Sequence, residues 1–470
     1  MSATTKNIIS DHDGLRGKWN GSIIIKQKPG PAIALEIDKD INGFLKVLLH
    51  SPGQKSFNIK ADSVKLTSNS LFVLIKGLNI ALNLTFEDDT LKGLFAQGPG
   101  VSLPVEFRKV DEFPFKVLQR PQEPKEPYSY ISENIEFKSF DNVKIRGTLT
   151  RPREEEKLPA VVLISGSGAS DRDQTIFGHK TFLVLSHLLT KKGFAVLRFD
   201  DRGAGESEGD FSKATIMEHA QDASAAVSYL LSRAEIDPKR IGLIGHSLGG
   251  DIAPAASLIN PDISFMVLMA ASTLPLKDVI IEQCDSIYSK MGVSKGAVEL
   301  NREILETLFT TINQQHDLGK IKEIAQDAIN RYNPRLAEIS EADMRVLGIK
   351  APINIAAYSK LLIPFMKYDL FYNPAETLER VNIPVFAING DMDVQVASHN
   401  LDKISSILAK RGNRHNRTTL YKGVNHLMQN CKTGRVDEYG QIEETFSEEI
   451  ALDISEWIKS LWRKDRETNP

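Results

Sequence analysis

The stretch Gly245-His246-Ser247-Leu248-Gly249-Gly250 constrains this fold more than any other part of the chain. Before it lies Ile241-Gly242-Leu243-Ile244, a short apolar run that predicts a buried strand. After it comes Asp251-Ile252-Ala253-Pro254-Ala255-Ala256, whose small side chains suit a tightly packed helix. A serine on a sharp strand-to-helix turn is held in a strained conformation, with its hydroxyl lifted above the sheet edge and flanking glycines giving the backbone room. A G-x-S-x-G string alone turns up by chance in about one chain in ten of this length, so the setting carries the weight. A serine hydroxyl is inert without a base and an oriented acid, and the chain downstream of Ser247 must supply both.

At 470 residues the chain is too long for one compact core, which predicts two or three domains. A net charge of -3 with no basic block argues against nucleic acid or an anionic membrane surface as partner. The two cysteines, Cys284 and Cys431, imply no disulfide framework and match no zinc spacing. The opening residues lack the apolar core of a signal peptide, and no apolar run is long enough to span a bilayer. The expectation is a soluble, cytoplasmic protein, or a secreted or periplasmic one if a leader has been removed; a homo-oligomer is left open.

From about Gly14 to Val110 short runs alternate with period two, among them Ser22–Lys26, Leu71–Lys76 and Ile80–Phe86. This predicts an all-β barrel or sandwich over residues 1–112. Its start, Gly17-Lys18-Trp19, resembles the G-x-W opening of lipocalin-like barrels, although a tryptophan there reads first as ordinary core. Residues 113–128 carry four prolines among charged residues and read as a semi-rigid linker. Residues 129–470 then form a second domain. A hairpin turns around Asp141-Asn142, and from Leu158 onward buried strands alternate with helices, the pattern of a doubly wound parallel sheet. The alternation stops between about Leu274 and Val381, where segments such as 295–311, 318–332 and 353–368 look helical. Because Ile383–Asn389 resumes the strand pattern, the helical stretch is expected to be an insertion over the strand ends, a lid.

Two loops at strand ends carry the candidate partners of Ser247. One is Asn389-Gly390-Asp391-Met392-Asp393, where two carboxylates compete for the role of orienting acid. The other is Lys422-Gly423-Val424-Asn425-His426-Leu427, which makes His426 the candidate base. Of the ten histidines, His399 and His415 read as solvated, and His246 is expected to point away from its neighbour Ser247. The loop Ser165-Gly166-Ser167-Gly168 follows another strand, and its glycines let backbone N–H groups approach an oxyanion, a task shared with the N–H of Leu248. A dinucleotide-binding reading of that loop fails, because Asp171 stands at the third glycine position. Neither a metal nor an organic cofactor is called for.

Together, Ile164–Asp173, Asp200–Ser207, Gly245–Gly250, Gly390–Val396 and Asn425–Leu427 resemble the ordered motifs of α/β-hydrolases, close to bacterial serine esterases and S33-like aminopeptidases. The resemblance spans about residues 129–466 and implies a Ser247, Asp393, His426 triad, Asp393 being chosen by the G-x-x-D-x-x-V spacing, with Ser167 and Leu248 as oxyanion donors. It implies hydrolysis of a small carboxylic ester through an acyl-enzyme. A peptidase or amidase with the same triad is the alternative, and a binding protein on a retired hydrolase fold is a third. The aromatic residues of the lid's last part, Tyr358, Phe365 and Phe371, are the expected substrate contacts, favouring an uncharged acyl group.

Overall fold

The computed structural model describes residues 13–463, apart from 41–42, 55, 68, 76–78, 98–101, 154–156, 316 and 364–365. The chain divides into two compact units, Met1–Gln119 and Arg120–Pro470.

The first unit is one antiparallel sheet of nine strands: β1 (Gly17–Ile25), β2 (Lys28–Lys39), β3 (Leu45–Ser51), β4 (Ser56–Lys60), β5 (Ser63–Thr67), β6 (Ser70–Ile75), β7 (Ile80–Glu87), β8 (Thr90–Gln97) and β9 (Ser102–Val110). Neighbours run β4-β3-β2-β1-β9-β8-β7-β6-β5, so pairing of β1 with β9 joins the two ends of the meander. Alternate residues, such as Ile80, Leu82 and Leu84 of β7, are buried, and strands from both halves share one apolar core. One face turned inward on itself makes a half-barrel, and the described residues of this unit form a single sheet, where a sandwich needs two. Trp19 is fully buried in that core, and its indole N–H donates to the Leu15 carbonyl at 2.9 Å, so it is core as its position suggested.

The second unit holds an eight-stranded sheet. Its strands are β10 (Ile131–Lys138), β11 (Lys144–Arg151), β12 (Leu158–Ile164), β15 (Ala195–Phe199), β16 (Ile236–His246), β17 (Phe265–Met269), β18 (Val385–Gly390) and β19 (Arg417–Tyr421). The small hairpin of β13 (Thr175–Ile176) and β14 (His179–Lys180) lies apart from it. The order is β10-β11-β15-β12-β16-β17-β18-β19, with the β10–β11 hairpin antiparallel at one edge and all pairs from β15 to β19 parallel. Strands β12, β15, β17 and β18 are buried along their length, as strands covered on both faces must be. Two apolar cores form, one on each face. The helices α1 (Thr181–Lys191), α2 (Ile216–Leu231), α3 (Gly249–Ile259), α10 (His399–Arg411) and α11 (Glu448–Ser460) supply the packing residues. Thr215 and Glu218 make a capping box that fixes the start of α2.

Between β17 and β18 stands the helical insertion, with α4 (Leu276–Lys290), α5 (Lys295–Gln314), α6 (Leu318–Asn330), α7 (Glu341–Leu347), α8 (Met366–Phe371) and α9 (Pro374–Leu378). The expected helix over 353–368 is not continuous. Residues Ile355–Leu362 form a 3-10 turn with a non-helical kink at Tyr358, and Pro364, which lacks the N–H that an inner helical turn needs, precedes α8.

Two side chains near the middle of the proline-rich segment are tied into the second unit. Arg120 donates to the carbonyls of Gly178, Gly440 and Ile442. Gln122 pairs with the backbone of Thr445 and Phe446.

Candidate active site

Ser247 sits at the carboxyl end of β16, in the middle of the parallel part of the sheet, with β12 on one side and β17 on the other. Its φ of +55° belongs to the left-handed region that non-glycine residues seldom occupy. The strain is sustained by its surroundings: the Ser247 N–H donates to Met269 O at 2.8 Å, and its carbonyl accepts from Gly250 N at 2.8 Å. A side chain at Gly245 would lie 2.0 Å from the Gly249 carbonyl, so the turn closes this tightly only with glycine there.

The loop after β12 crosses directly over the serine, since a Cβ placed on Gly166 would lie 3.2 Å from the Ser247 Cβ. Gly166, Ser167, Ser247, Leu248 and His426 share one cavity of about 300 Å³. At the far end of the sheet's parallel run, His426 follows β19 and Asp393 follows β18. His426 Nδ1 meets Asp393 Oδ2 at 2.8 Å. Asp393 Oδ1 accepts from the N–H groups of Gln395 and Val396 at 2.8 and 2.9 Å, so both oxygens of this fully buried side chain are used. Asp391, its competitor, instead accepts the Gly423 N–H at 2.7 Å and ties the two loops together. The structure therefore brings Ser247, Ser167, Leu248 and His426 to one cavity, and sets Asp393 behind His426.

It does not bring the expected aromatic residues there. Tyr358 and Phe371 are half-buried among Ile280, Cys284 and Leu361 within the insertion, and neither lines the cavity. Phe365 lies outside the described residues. The insertion's contribution to the cavity comes from α4 instead, through Leu276, Val279 and Gln283. Aromatic content marked that part of the chain as core-forming, but the core was the insertion's own.

Three further residues matter that the motifs did not single out for a role. His246 is buried and is among the residues lining the same cavity as Ser247: its Nδ1 lies 2.9 Å from Gln174 Nε2 and its Nε2 lies 2.8 Å from the His426 carbonyl. Burial, aided by the neighbouring His426, pushes its pKa down to about 3, so it is neutral, and its partners assign the proton to Nε2. A neutral ring thus pins the backbone of His426. Replacing His246 with alanine is expected to lower kcat up to about a hundredfold through misplacement of His426, with KM little changed. Steady-state kinetics showing less than a twofold loss would mean that the loop holds itself.

Asp201, the residue at the variable position of the D-x-R-G turn, braces the loop over the serine. Its carboxylate accepts from Ser165 Oγ at 2.8 Å and from the Ser170 N–H at 2.9 Å, on either side of Gly166-Ser167-Gly168. Burial raises its pKa to about 7, with Asp222 and Asp200 adding to the rise and the two hydrogen bonds opposing it. The folded state therefore holds a proton that the unfolded chain releases near pH 4, and folding stability contributed by that proton is lost as pH rises through about 7. Asp201→Asn, which does not titrate, should gain on the wild type between pH 4 and pH 8 by on the order of 2–4 kcal/mol. Denaturant melts at both pH values measure it, and an unchanged difference would contradict the assignment. The third residue, Asp251, lines the cavity from α3 and is taken up below.

A parallel sheet wound by helices on both faces, with a strained serine at the end of a central strand and helices inserted before the penultimate strand, defines an α/β-hydrolase. The family model of the X-Pro dipeptidyl-peptidases (S15 family) matches residues 141–426, well over half the chain and from the β10–β11 turn to His426, and the chain belongs to this family. Esterase EstD of Thermotoga maritima is 29% identical over 299 residues, which are 63% of this chain and 61% of EstD. A thiohydrolase of Arthrinium phaeospermum, apmlB, is 30% identical over 146 residues, 31% of this chain and 45% of its own. The chain thus spans between about half and three fifths of the length of these relatives. Among solved structures, the Pyrococcus furiosus esterase Pf2001 aligns with a TM-score of 0.41 at 17% identity, over 71% of this chain and 93% of that one.

Proposed function

We propose that this protein is a serine esterase, cleaving small, uncharged carboxylic esters through an acyl-enzyme. The observation that carries the reading is the union, in one cavity, of a serine at φ +55° and a histidine whose Nδ1 is engaged by a buried aspartate. With Nδ1 occupied, His426 Nε2 is the nitrogen left to take the Ser247 proton as Oγ attacks the ester carbonyl. Asp393 holds the ring in that tautomer and stabilises the imidazolium that forms. The carbonyl oxygen becomes an oxyanion, received by the N–H groups of Ser167 and Leu248. Collapse breaks the bond to the alkoxide oxygen, which leaves as an alcohol with the proton from His426; water then repeats the sequence on the acyl-Ser247.

The helical insertion acts as a lid in this account, α4 covering the cavity with Leu276 and Val279. A volume of about 300 Å³ suits short acyl groups and rejects extra methylenes only weakly, by about 1–3 kcal/mol each. No lysine or arginine lines the cavity among the described residues, so a charged carboxylate on the substrate finds no partner. The family description supports a second reading, release of an X-Pro dipeptide from the amino end of a peptide, which needs an ionised acid for the substrate's amino terminus. Asp251 is the one carboxyl lining the cavity among the described residues, and burial raises its pKa well above the carboxylate range, which disfavours the ionised form and so favours the ester. Turnover of acetyl, butyryl and octanoyl nitrophenyl esters beside a glycyl-prolyl nitroanilide separates the two. The esterase reading expects the acetyl and butyryl esters to be fastest; faster cleavage of the anilide would replace it by the peptidase.

A further inference from the structure

The cavity beside Ser247 contains a polar group that the triad does not use. Asp251 lies in the first turn of α3, four residues after Ser247, and its side chain lines the cavity with Leu248, Ser272, Leu276 and Val279. The residue is more than nine-tenths buried, and its Oδ1 has no hydrogen-bond partner. Its polar neighbours in the lining are already engaged: Ser272 Oγ donates to Asn400 Oδ1, and Gln283 Nε2 donates to Gln395 Oε1. A buried carboxyl left without a partner costs on the order of 1–3 kcal/mol, a cost that a ligand atom can remove. What faces Asp251 decides the kind of ligand. No cation lines the cavity among the described residues, and the nearby Asp369, half-buried and hydrogen-bonded to the Ile216 N–H, adds negative charge. Burial first, and Asp369 second, raise the Asp251 pKa well above the carboxylate range. A protonated carboxyl is a hydrogen-bond donor that seeks a neutral acceptor.

We propose that Asp251 is a specificity-determining residue, donating a hydrogen bond from its carboxyl to an uncharged oxygen, ether, hydroxyl or carbonyl, on the acyl part of the substrate. The acyl side is assigned because His426 must face the leaving oxygen to protonate it, whereas Asp251 belongs to the helix that follows the nucleophile. The inference rests on the esterase reading above and names its substrate class: oxygenated short acyl esters in preference to plain alkyl ones.

The test compares isosteres. Methoxyacetyl and 3-methoxypropionyl nitrophenyl esters are set beside butyryl and pentanoyl esters, each ratio of kcat/KM being divided by the ratio of alkaline hydrolysis rates. Wild type is expected to favour at least one ether over its alkyl isostere roughly fivefold to tenfold. Asp251→Asn, whose amide still donates, keeps that preference, and Asp251→Leu loses it. A glycyl ester, protonated on its amine, forms the counter-arm. Wild type favouring the glycyl ester, with Asp251→Asn abolishing the preference, would make Asp251 a cation receptor and overturn the proposal. So would an ether ratio that Asp251→Leu leaves unchanged or that wild type lacks. Should Asp251→Leu fail to fold, the wild type and Asp251→Asn comparison across the ether and glycyl arms decides alone. Wild type that turns over none of the alkyl or ether esters would overturn the esterase reading itself and this proposal with it, a result distinct from hydrolysis that is indifferent to Asp251.

Discussion

With alanine in place of Ser247, turnover of a nitrophenyl ester is expected to fall on the order of a millionfold, the loss that attends removal of a triad nucleophile. The fold should survive it. The Ser247 backbone bonds to Met269 and Gly250 do not involve the hydroxyl, and alanine adds no atoms to a turn that already tolerates a side chain at φ +55°. Thermal melting within a few degrees of wild type, together with the loss of turnover, is the expected pair of results. A folded variant retaining more than a few per cent of wild-type turnover would mean that another group attacks the ester.

The second large effect separates two carboxylates two residues apart. Asp393→Asn is expected to lower kcat about ten-thousandfold, because an amide at that position turns the His426 ring to the wrong tautomer while leaving its place unchanged. Asp391→Asn should cost less than tenfold. Its Oδ1 accepts only a backbone N–H from Gly423 in the contacts seen, and an asparagine oxygen can do the same. Equal losses in the two variants, or the reverse ranking, would move the acid out of Asp393. Both rates come from the same ester assay.

How far the sequence reveals this site depends on what each residue needs from its neighbours in the chain. The elbow is legible because its requirements are local: an apolar strand, glycines where a Cβ has no room, and a helix of small residues. His426 is legible for a similar reason, as it stands in the loop that follows a short strand, β19. Asp391 and Asp393 share one loop, and only the geometry shows that one reaches His426 and the other Gly423. The insertion's contacts were misplaced because an aromatic side chain packs equally well within a helical bundle or over a cavity. Which face of α4 or α8 looks at Ser247 is decided by docking, and periodicity says nothing about that. His246 holds Gln174 and the His426 backbone across 72 and 180 residues, distances at which a single sequence carries no signal. Asp251 did leave a trace. It is an acid at the head of a helix whose first eight residues are all buried, and a charged residue in such company is either paired or waiting for a partner.

In the β unit, alternation marked β1, β2, β3, β6 and β7. It missed β4, β5, β8 and β9, where lysines, a glycine at position 93 and Pro104 interrupt the pattern. The half-barrel emerges from pairing of the first strand with the last, a contact between residues some ninety positions apart.

The central claim, that Ser247 is the nucleophile of an esterase, is tested most directly by locating the adduct left by a fluorophosphonate. The account predicts one equivalent of label on the full-length chain, found by peptide mass spectrometry on Ser247 and prevented by excess butyryl ester. Label on another residue, or none on a folded protein that still hydrolyses the ester, would contradict it.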